Sequence, residues 1–201
     1  MQDAFLRRQK DRLMTPMAGQ AFAAIHPNTI SVIALFIGLG SVVAILTQMY
    51  WVALILWALN RMMDGLDGVV ARVHQKQSDF GGYLDLFLDF IIYLTVPIAF
   101  MIVLPTMTNL WAGLFLISSY VLNSISWTTL AALLEKRQRH TVNRLTSMEM
   151  PTGLIEGAET IVFYTLFYLL PGYLAIFFTA MAILVVFTAS QRVWWAYRHL
   201  N

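Results

Sequence analysis

The chain has 201 residues, of which 59% are hydrophobic and 12% are charged. Ordinary globular chains are about 45–50% apolar and about 25% charged, and a soluble domain of this length cannot bury so much apolar surface. The composition therefore predicts a polytopic membrane protein. The lack of cysteine excludes a disulfide scaffold, a thiolate metal site and a cysteine nucleophile, and the net charge of +2 gives no reason to expect a nucleic-acid partner.

Three long stretches, 13–60, 91–134 and 160–191, contain no Asp, Glu, Lys or Arg. A helix needs about 20 mostly apolar residues to cross a membrane, so these stretches are long enough to form pairs of helices or parts of pairs. Turn-forming residues divide each stretch. We therefore predict an all-α fold with six transmembrane helices, at about 29–49, 51–74, 81–104, 109–134, 152–170 and 172–196.

Twelve of the 13 basic residues lie before helix one, between helices two and three, between helices four and five, or at the end of helix six. The three short turns on the other side carry none. The positive-inside rule then predicts that both termini and the two basic loops are cytoplasmic. Residues 1–28 are expected to form a cytoplasmic juxtamembrane segment, either an amphipathic helix or a solvated basic tail, and residues 29–201 the six-helix domain.

Four aspartates fall inside the predicted helices. Asp64 and Asp67 are three residues apart in helix two, and Asp85 and Asp89 are four residues apart in helix three, so each pair shares one helix face. The loop between the two helices is short, which places both pairs at a similar depth. Each carboxylate costs about 2.5–3.5 kcal/mol in the membrane, so the cluster calls for protonation or for multivalent cations. Carboxylates without His or Cys suit Mg²⁺ or Mn²⁺, and a pair of such ions can catalyse phosphoryl transfer.

Small and basic residues accompany the aspartates. Gly68 and Ala71 share the face of Asp64 and Asp67, which leaves room for a ligand against the backbone. Arg72 follows Gly68 by one turn, in position to bind a phosphate. Gly81 precedes Asp85 by one turn and is expected to play the same role in helix three. Close packing between helices is the alternative explanation for both glycines.

These residues form the pattern D-x2-D-G-x2-A-R-x8-G-x3-D-x3-D between residues 64 and 89. The chain thereby resembles the CDP-alcohol phosphatidyltransferase family, of which this pattern is the signature. Six helices and a cytoplasmic N-terminal segment extend the resemblance over the whole chain. The entry to helix one, residues 27–31, is also similar to the family's Pro-Asn-x-x-Thr element, with Ser31 in place of the Thr.

The resemblance implies an enzyme in which an alcohol attacks the β-phosphorus of CDP-diacylglycerol and releases CMP. Asp64 and Asp85 would bridge two Mg²⁺ or Mn²⁺ ions, Asp67 would complete the first ion, and Asp89 would bind the second and act as general base. The residues expected to line the cytidine diphosphate site are Asn28, Ser31, Gly68, Arg72, Ser78 and Gly81. The resemblance further implies phospholipid biosynthesis by a homodimer in a bacterial inner membrane, in contact with membrane lipids.

The acceptor alcohol is left open by the sequence. Phe90 stands where phosphatidylglycerophosphate synthases usually carry Lys, and helix five begins with Glu156 and Glu159 where inositol-phosphate enzymes tend to carry Arg. The chain looks most like small bacterial members with an unassigned acceptor. The two glutamates either face the acceptor pocket, which favours an acceptor without a phosphate group, or pair with Arg61 or Arg144.

Other functions account less well for the pattern. The same fold could use a CDP-linked small alcohol and a lipid acceptor, and this alternative stays open. A carboxylate-based cation transporter is less favoured, because its acidic residues would lie near the bilayer midplane in repeated halves. An intramembrane prenyltransferase would need two separate aspartate-rich motifs, whereas this chain has a single cluster.

Overall fold

A computed structural model describes residues 24–139, 153, 155 and 157–200 of the chain. These residues form helices, turns and short links and contain no strand, which confirms the all-α prediction for this part of the chain. The α-helices are α1 (Pro27–Leu46), α2 (Tyr50–Val73), α3 (Asp79–Val103), α4 (Met107–Arg139), α5 (Gly157–Leu169) and α6 (Leu174–Leu200), with a 3₁₀ turn at Pro171–Tyr173 before α6. Most of the predicted juxtamembrane segment lies outside the described residues.

The observed helices overlap the six predicted ones. Four of them, α1, α3, α4 and α6 with its preceding turn, are long and apolar enough to cross a membrane. The shorter α5 is also apolar, whereas α2 carries several charged residues. The prediction of a helical, membrane-type chain is thus confirmed, while the crossing of the membrane by all six helices stays a prediction. The largest differences in bounds are at α4, which continues five residues beyond 134, and at α5, whose described part starts at Gly157.

Helix α1 begins two residues earlier than predicted. Pro27 occupies the first turn, where its missing N–H group is tolerated and its fixed φ angle favours the helix. The side chain of His26 caps this end by accepting a hydrogen bond of 3.3 Å from the N–H group of Asn28. Asn28 therefore belongs to the helix and has a defined position at its start.

The described residues divide into two compact units, the first comprising those up to residue 105 together with 168–171 and the second comprising those between 106 and 167 together with 172–200. In the first unit, α1 packs against both α2 and α3. Gly38 permits the approach of α1 to α3, because a Cβ atom there would lie 2.6 Å from Cδ1 of Ile92. The Asn60 amide on α2 donates a hydrogen bond of 2.7 Å to the carbonyl of Ala34 on α1. These contacts bring the three helices together around the aspartates.

In the second unit, α4 packs against α6. Buried aromatic rings form part of its core, including an edge-to-face contact between Phe167 and Phe178 with centroids 4.8 Å apart. Arg192 of α6 donates a hydrogen bond to the amide oxygen of Asn123 on α4, so this helix pair also has a polar contact.

The link between α2 and α3 is short and closely bonded. Gln75 adopts a φ angle of 52°, and the N–H group of Lys76 donates a 2.8 Å hydrogen bond to the carbonyl of Ala71, an arrangement that ends α2 and reverses the chain. Ser78 then caps α3 by accepting a 3.0 Å hydrogen bond from the N–H group of Gly81. The link thereby leads from the end of α2 to the start of α3 within a few residues, as the short loop predicted.

Candidate active site

The four aspartates come together where α2 faces α3. The Asp64 carboxyl group interacts with those of Asp85 and Asp89, and the Asp67 carboxyl group also interacts with both. Asp67 is buried, whereas about a quarter of the side-chain surface of Asp64 and of Asp89 is exposed (24% and 22%). The two helical pairs of carboxylates therefore lie close enough to interact, as their spacing and the short link predict.

A cavity of about 180 Å³ opens beside this cluster. Its walls come from the start of α1, the end of α2, the link that follows and the start of α3. The predicted site residues that line it are Asn28, Ser31, Asp67, Gly68, Arg72, Ser78, Gly81 and Asp85. Lys76 and Gln77 line it too, although no sequence pattern singles them out.

A smaller cavity of about 10 Å³ is lined by the other two aspartates. Asp64 and Asp89 line it together with Asp85 and Ser31, and the last two residues belong to both cavities. Every residue predicted to bind the CDP group or the cations thus lines one of two adjoining cavities within the first unit. The structure brings this predicted set together, and the role of each residue stays a prediction.

Ser31 connects the start of α1 to the aspartate cluster. Its hydroxyl group donates a hydrogen bond to Oδ2 of Asp67, and both side chains are buried. The same hydroxyl lies 3.3 Å from the carbonyl oxygen of Pro27, one turn earlier. The Pro-Asn-x-x-Ser element therefore belongs to the same site as the aspartates, and Ser31 supplies a donor that satisfies a buried carboxylate.

Arg61 is a neighbour of the cluster that the sequence did not assign. Its Nη2 atom lies 2.7 Å from Oδ1 of Asp89, and its Nη1 atom lies 3.8 Å from Oδ2 of Asp64. Nη1 also donates a 2.9 Å hydrogen bond to the hydroxyl of Tyr93, and Nε donates one of 2.9 Å to the amide oxygen of Asn60. Only 9% of the arginine side chain is exposed. Helical spacing could have found these residues, since Arg61 precedes Asp64 by three and Tyr93 follows Asp89 by four.

The glycines at the site lie beside polar side chains. A Cβ atom on Gly81 would lie 3.0 Å from Oγ of Ser78 and 3.1 Å from Oδ1 of Asn28, and one on Gly68 would lie 3.3 Å from Nη1 of Arg72. All three neighbours line the larger cavity. These contacts favour the prediction that the two glycines keep room at the site over the alternative of close helix packing.

The donor set fits a hard divalent cation in its chemistry. Carboxylate oxygens are the ligands that Mg²⁺ and Mn²⁺ prefer, and three of the four aspartates line the smaller cavity. Over the described ranges, however, no group of three or more His, Asp or Glu side chains is arranged as a ready set of ligands. Two of the carboxylates instead receive hydrogen bonds from Arg61 and Ser31.

The residues expected near the acceptor belong to another part of the chain. Glu156 and Arg144 lie outside the described residues, and Glu159 is half-buried in the first turn of α5, in the second unit. The contacts of Arg61 given above are all with residues of α2 and α3. The predicted link between the glutamates and the acceptor therefore stays a prediction.

Comparison with known proteins agrees with the pattern at the site. The sequence profile of the CDP-alcohol phosphatidyltransferase family matches residues 24–196, which is most of the chain. The chain belongs to this family. It is accordingly a CDP-alcohol phosphotransferase, and the resemblance seen in the residues between 64 and 89 is confirmed.

Relatives and a solved structure support this assignment. The chain is 34% identical to the inner membrane protein YnjF of Escherichia coli over 178 residues, which is 88% of this chain and 85% of YnjF. It is 31% identical over 88 residues to a bifunctional IPC transferase and DIPP synthase of Thermococcus kodakarensis, covering 43% of this chain and 20% of that protein. The crystal structure of the phosphatidylinositol phosphate synthase PgsA1 of Mycobacterium tuberculosis, in complex with manganese and citrate, has a TM-score of 0.71 at 19% identity. That match covers 92% of this chain and 88% of PgsA1, and it shows a shared fold.

Proposed function

We propose that the protein transfers a phosphatidyl group from CDP-diacylglycerol to a small alcohol and releases CMP, as a step of phospholipid synthesis. The observation that carries the proposal is the arrangement of the signature residues. All of those assigned to substrate or cation binding line two cavities that share Ser31 and Asp85. The larger cavity has room and charge for a diphosphate, and three of the four aspartates line the smaller one.

The proposed reaction assigns a task to each group of residues. Asp89 accepts the proton of the acceptor hydroxyl, whose oxygen then forms a bond to the β-phosphorus of the donor. The bond between that phosphorus and the bridging oxygen breaks, and CMP leaves with its electron pair. Arg72 binds the diphosphate, and Asn28, Ser31, Gly68, Ser78 and Gly81 surround the cytidine diphosphate.

Asp64, Asp67, Asp85 and Asp89 would hold the divalent cations, for which we propose two Mg²⁺ or Mn²⁺ ions. Such ions, when bound, stabilise the negative charge that develops on phosphoryl oxygens. The family membership and the oxygen-only donor set support this assignment. The manganese in the PgsA1 complex supports it by analogy.

The membrane arrangement is part of the proposal. We expect an inner bacterial membrane, because the relative YnjF is described as an inner membrane protein and four helices here are long and apolar enough to cross. Six spans, cytoplasmic termini and a homodimer complete the expected architecture, with residues 1–28 at the membrane surface and residues 29–201 as the catalytic domain. Single cysteines introduced into the basic loops, and labelled in intact cells and in inverted vesicles, would test the orientation.

Release of CMP by the purified protein tests the function. The protein in lipid nanodiscs is given CDP-diacylglycerol and Mg²⁺ or Mn²⁺, and acceptors are screened one at a time: glycerol 3-phosphate, inositol phosphate, serine, inositol and neutral polyols. We expect CMP release with at least one acceptor, and loss of release in EDTA. A parallel series with CDP-linked small alcohols and diacylglycerol tests the reverse assignment of donor and acceptor.

Two aspartates of α3, Asp85 and Asp79, provide a test variant and its matched control. Asp85→Asn should abolish CMP release, because Asp85 lines both cavities. Asp79→Asn should retain it, because Asp79 is exposed in the first turn of the same helix and lines neither of the two cavities. Equal activity in the two variants, or turnover that is insensitive to EDTA, would contradict the proposed site.

A further inference from the structure

Each of the three nitrogen atoms of the Arg61 guanidinium group donates a hydrogen bond. Nε donates to the Asn60 amide oxygen, Nη1 donates to the Tyr93 hydroxyl and Nη2 donates to Asp89. The Arg61 Cζ atom also lies 5.1 Å from the centroid of the Tyr93 ring, close enough for a cation–π contact. Asn60 is itself anchored to α1 through the carbonyl of Ala34. The guanidinium group therefore has one orientation, and it is fixed from α1 through α2 to α3.

The position of this group matters because of what it touches. Asp89 is the residue to which the proposed function gives the proton, and Asp64 is one of the proposed cation ligands. A single positive charge lies 2.7 Å from the first and 3.8 Å from the second. A planar guanidinium can fix the orientation of a carboxylate, and its charge also lowers the attraction of the same carboxylates for another cation.

We propose that Arg61 is a positioning residue of the reaction: it orients the Asp89 carboxylate and serves as the internal cation of the aspartate cluster. This inference rests on the proposed function. Arg61 holds Asp89 against α2 at an angle set by Asn60 and Tyr93, and it compensates part of the charge of Asp64 and Asp89 before a divalent cation is bound. It competes electrostatically with that cation and at the same time prepares the base.

A different result is expected if the ion pair between Arg61 and Asp89 is purely structural. Loss of a structural pair would lower cation binding, turnover and folded fraction together, because the cluster itself would be disturbed. Loss of a positioning cation predicts opposite changes. Divalent cations should bind more tightly once the competing charge is gone, while turnover falls because Asp89 is no longer oriented.

The experiment uses Arg61→Met, which removes the charge, and Arg61→Lys, which keeps the charge without the planar fork. Binding of Mn²⁺ to the purified protein is measured by electron paramagnetic resonance without substrate. For Arg61→Met we expect Mn²⁺ binding about tenfold tighter than in the wild type. For Arg61→Lys we expect binding within about threefold of the wild type, because the positive charge is retained.

Turnover is measured with CDP-diacylglycerol and the acceptor found in the screen. We expect kcat to fall about 10–100-fold in both variants, with the KM for CDP-diacylglycerol changed by less than about threefold, as is typical when a residue that orients a metal ligand is lost. Tyr93→Phe removes one hydrogen bond to the guanidinium but keeps the ring. It should lower kcat about threefold and leave Mn²⁺ binding unchanged.

Lys136→Met is the charge control. It removes one exposed positive charge from α4, which contributes no residue to either cavity, and it should behave as the wild type. Unchanged kcat in Arg61→Met, or weaker Mn²⁺ binding in that variant, would overturn the inference. If Arg61→Met does not fold, unchanged kcat in both Arg61→Lys and Tyr93→Phe overturns it. Failure of the wild type itself to bind Mn²⁺ or to release CMP would instead refute the proposed function.

Discussion

Gly81 offers a perturbation whose size follows from the structure. In Gly81→Ala the new Cβ atom would lie 3.0 Å from Oγ of Ser78 and 3.1 Å from Oδ1 of Asn28. Carbon–oxygen contacts are usually about 3.3–3.6 Å, so both side chains must move by a few tenths of an ångström. Both line the larger cavity, and the proposed function places both beside the cytidine diphosphate.

The expected effect is on binding more than on folding. Alanine is favoured over glycine in a helix by about 1 kcal/mol, and a disturbed N-terminal cap at Ser78 costs about the same, so the net change in the free energy of unfolding is near zero. A displaced side chain that loses its hydrogen bond to the ligand weakens binding by about 0.5–1.5 kcal/mol. For Ser78 and Asn28 together we expect CDP to bind about tenfold more weakly.

Isothermal titration of the purified protein with CDP, at saturating Mg²⁺, measures this change without knowledge of the acceptor. Gly40→Ala is the control, because it adds the same methyl group inside α1 at a residue that lines neither cavity, where the new Cβ atom would lie at an ordinary contact distance of 3.6 Å from Cδ1 of Leu56. It should bind CDP within about twofold of the wild type and should be slightly more stable. Equal losses in the two variants, or unchanged binding in Gly81→Ala, would refute the reasoning from the contacts of Gly81.

Asp64→Asn should weaken Mn²⁺ binding and abolish CMP release together, whereas Asp89→Asn should lower kcat with CDP binding largely retained; equal loss of CDP binding in both would argue against a separate base. Ser31→Ala should weaken CDP binding and activity, because the buried Asp67 loses a hydrogen bond to a charged group that contributes about 1.5–3 kcal/mol. CMP should tighten Mn²⁺ binding in a titration, and by linkage Mn²⁺ should tighten CMP binding by the same factor. Glu159→Gln should change the apparent KM for the acceptor, and a change in protein yield alone would make that residue structural.

Helical spacing was sufficient to predict which faces carry the four aspartates, whereas Asn28, Ser31 and Ser78 were assigned to the site from the family resemblance. Residues three and four apart lie on one face of a helix, so Asp64 with Asp67, and Asp85 with Asp89, could be assigned to faces from their spacing alone. The short link then required the two faces to meet. The start of α1 differs from the predicted start by two residues, because Pro27 is as typical of the position before a helix as of its first turn.

The contacts of Arg61 were harder to predict for a physical reason. Its partner Asp89 is 28 residues away, and only the packing of α2 and of α3 against α1 decides which carboxylate the guanidinium reaches. The spacing of three residues does place Arg61 on the same helix face as Asp64, and the spacing of four places Tyr93 one turn beyond Asp89 on its face. Lys76 and Gln77 reach the larger cavity because the end of α2 reverses the chain there, a turn that contains no glycine or proline to reveal it.

The side chains that compensate the four aspartate charges are not the ones that the sequence predicts. Protonation and multivalent cations are the remedies that the sequence predicts, yet Arg61 and Ser31 already satisfy two of the carboxylates. Arg72 and Lys76 add positive charge along the larger cavity. The formal charge of the four aspartates together with Arg61, Arg72 and Lys76 is therefore −1. A diphosphate substrate brings two further negative charges into the same space. On the proposed function, the need for divalent cations is therefore greatest when the substrate is bound, and it arises from the substrate as well as from the four aspartates.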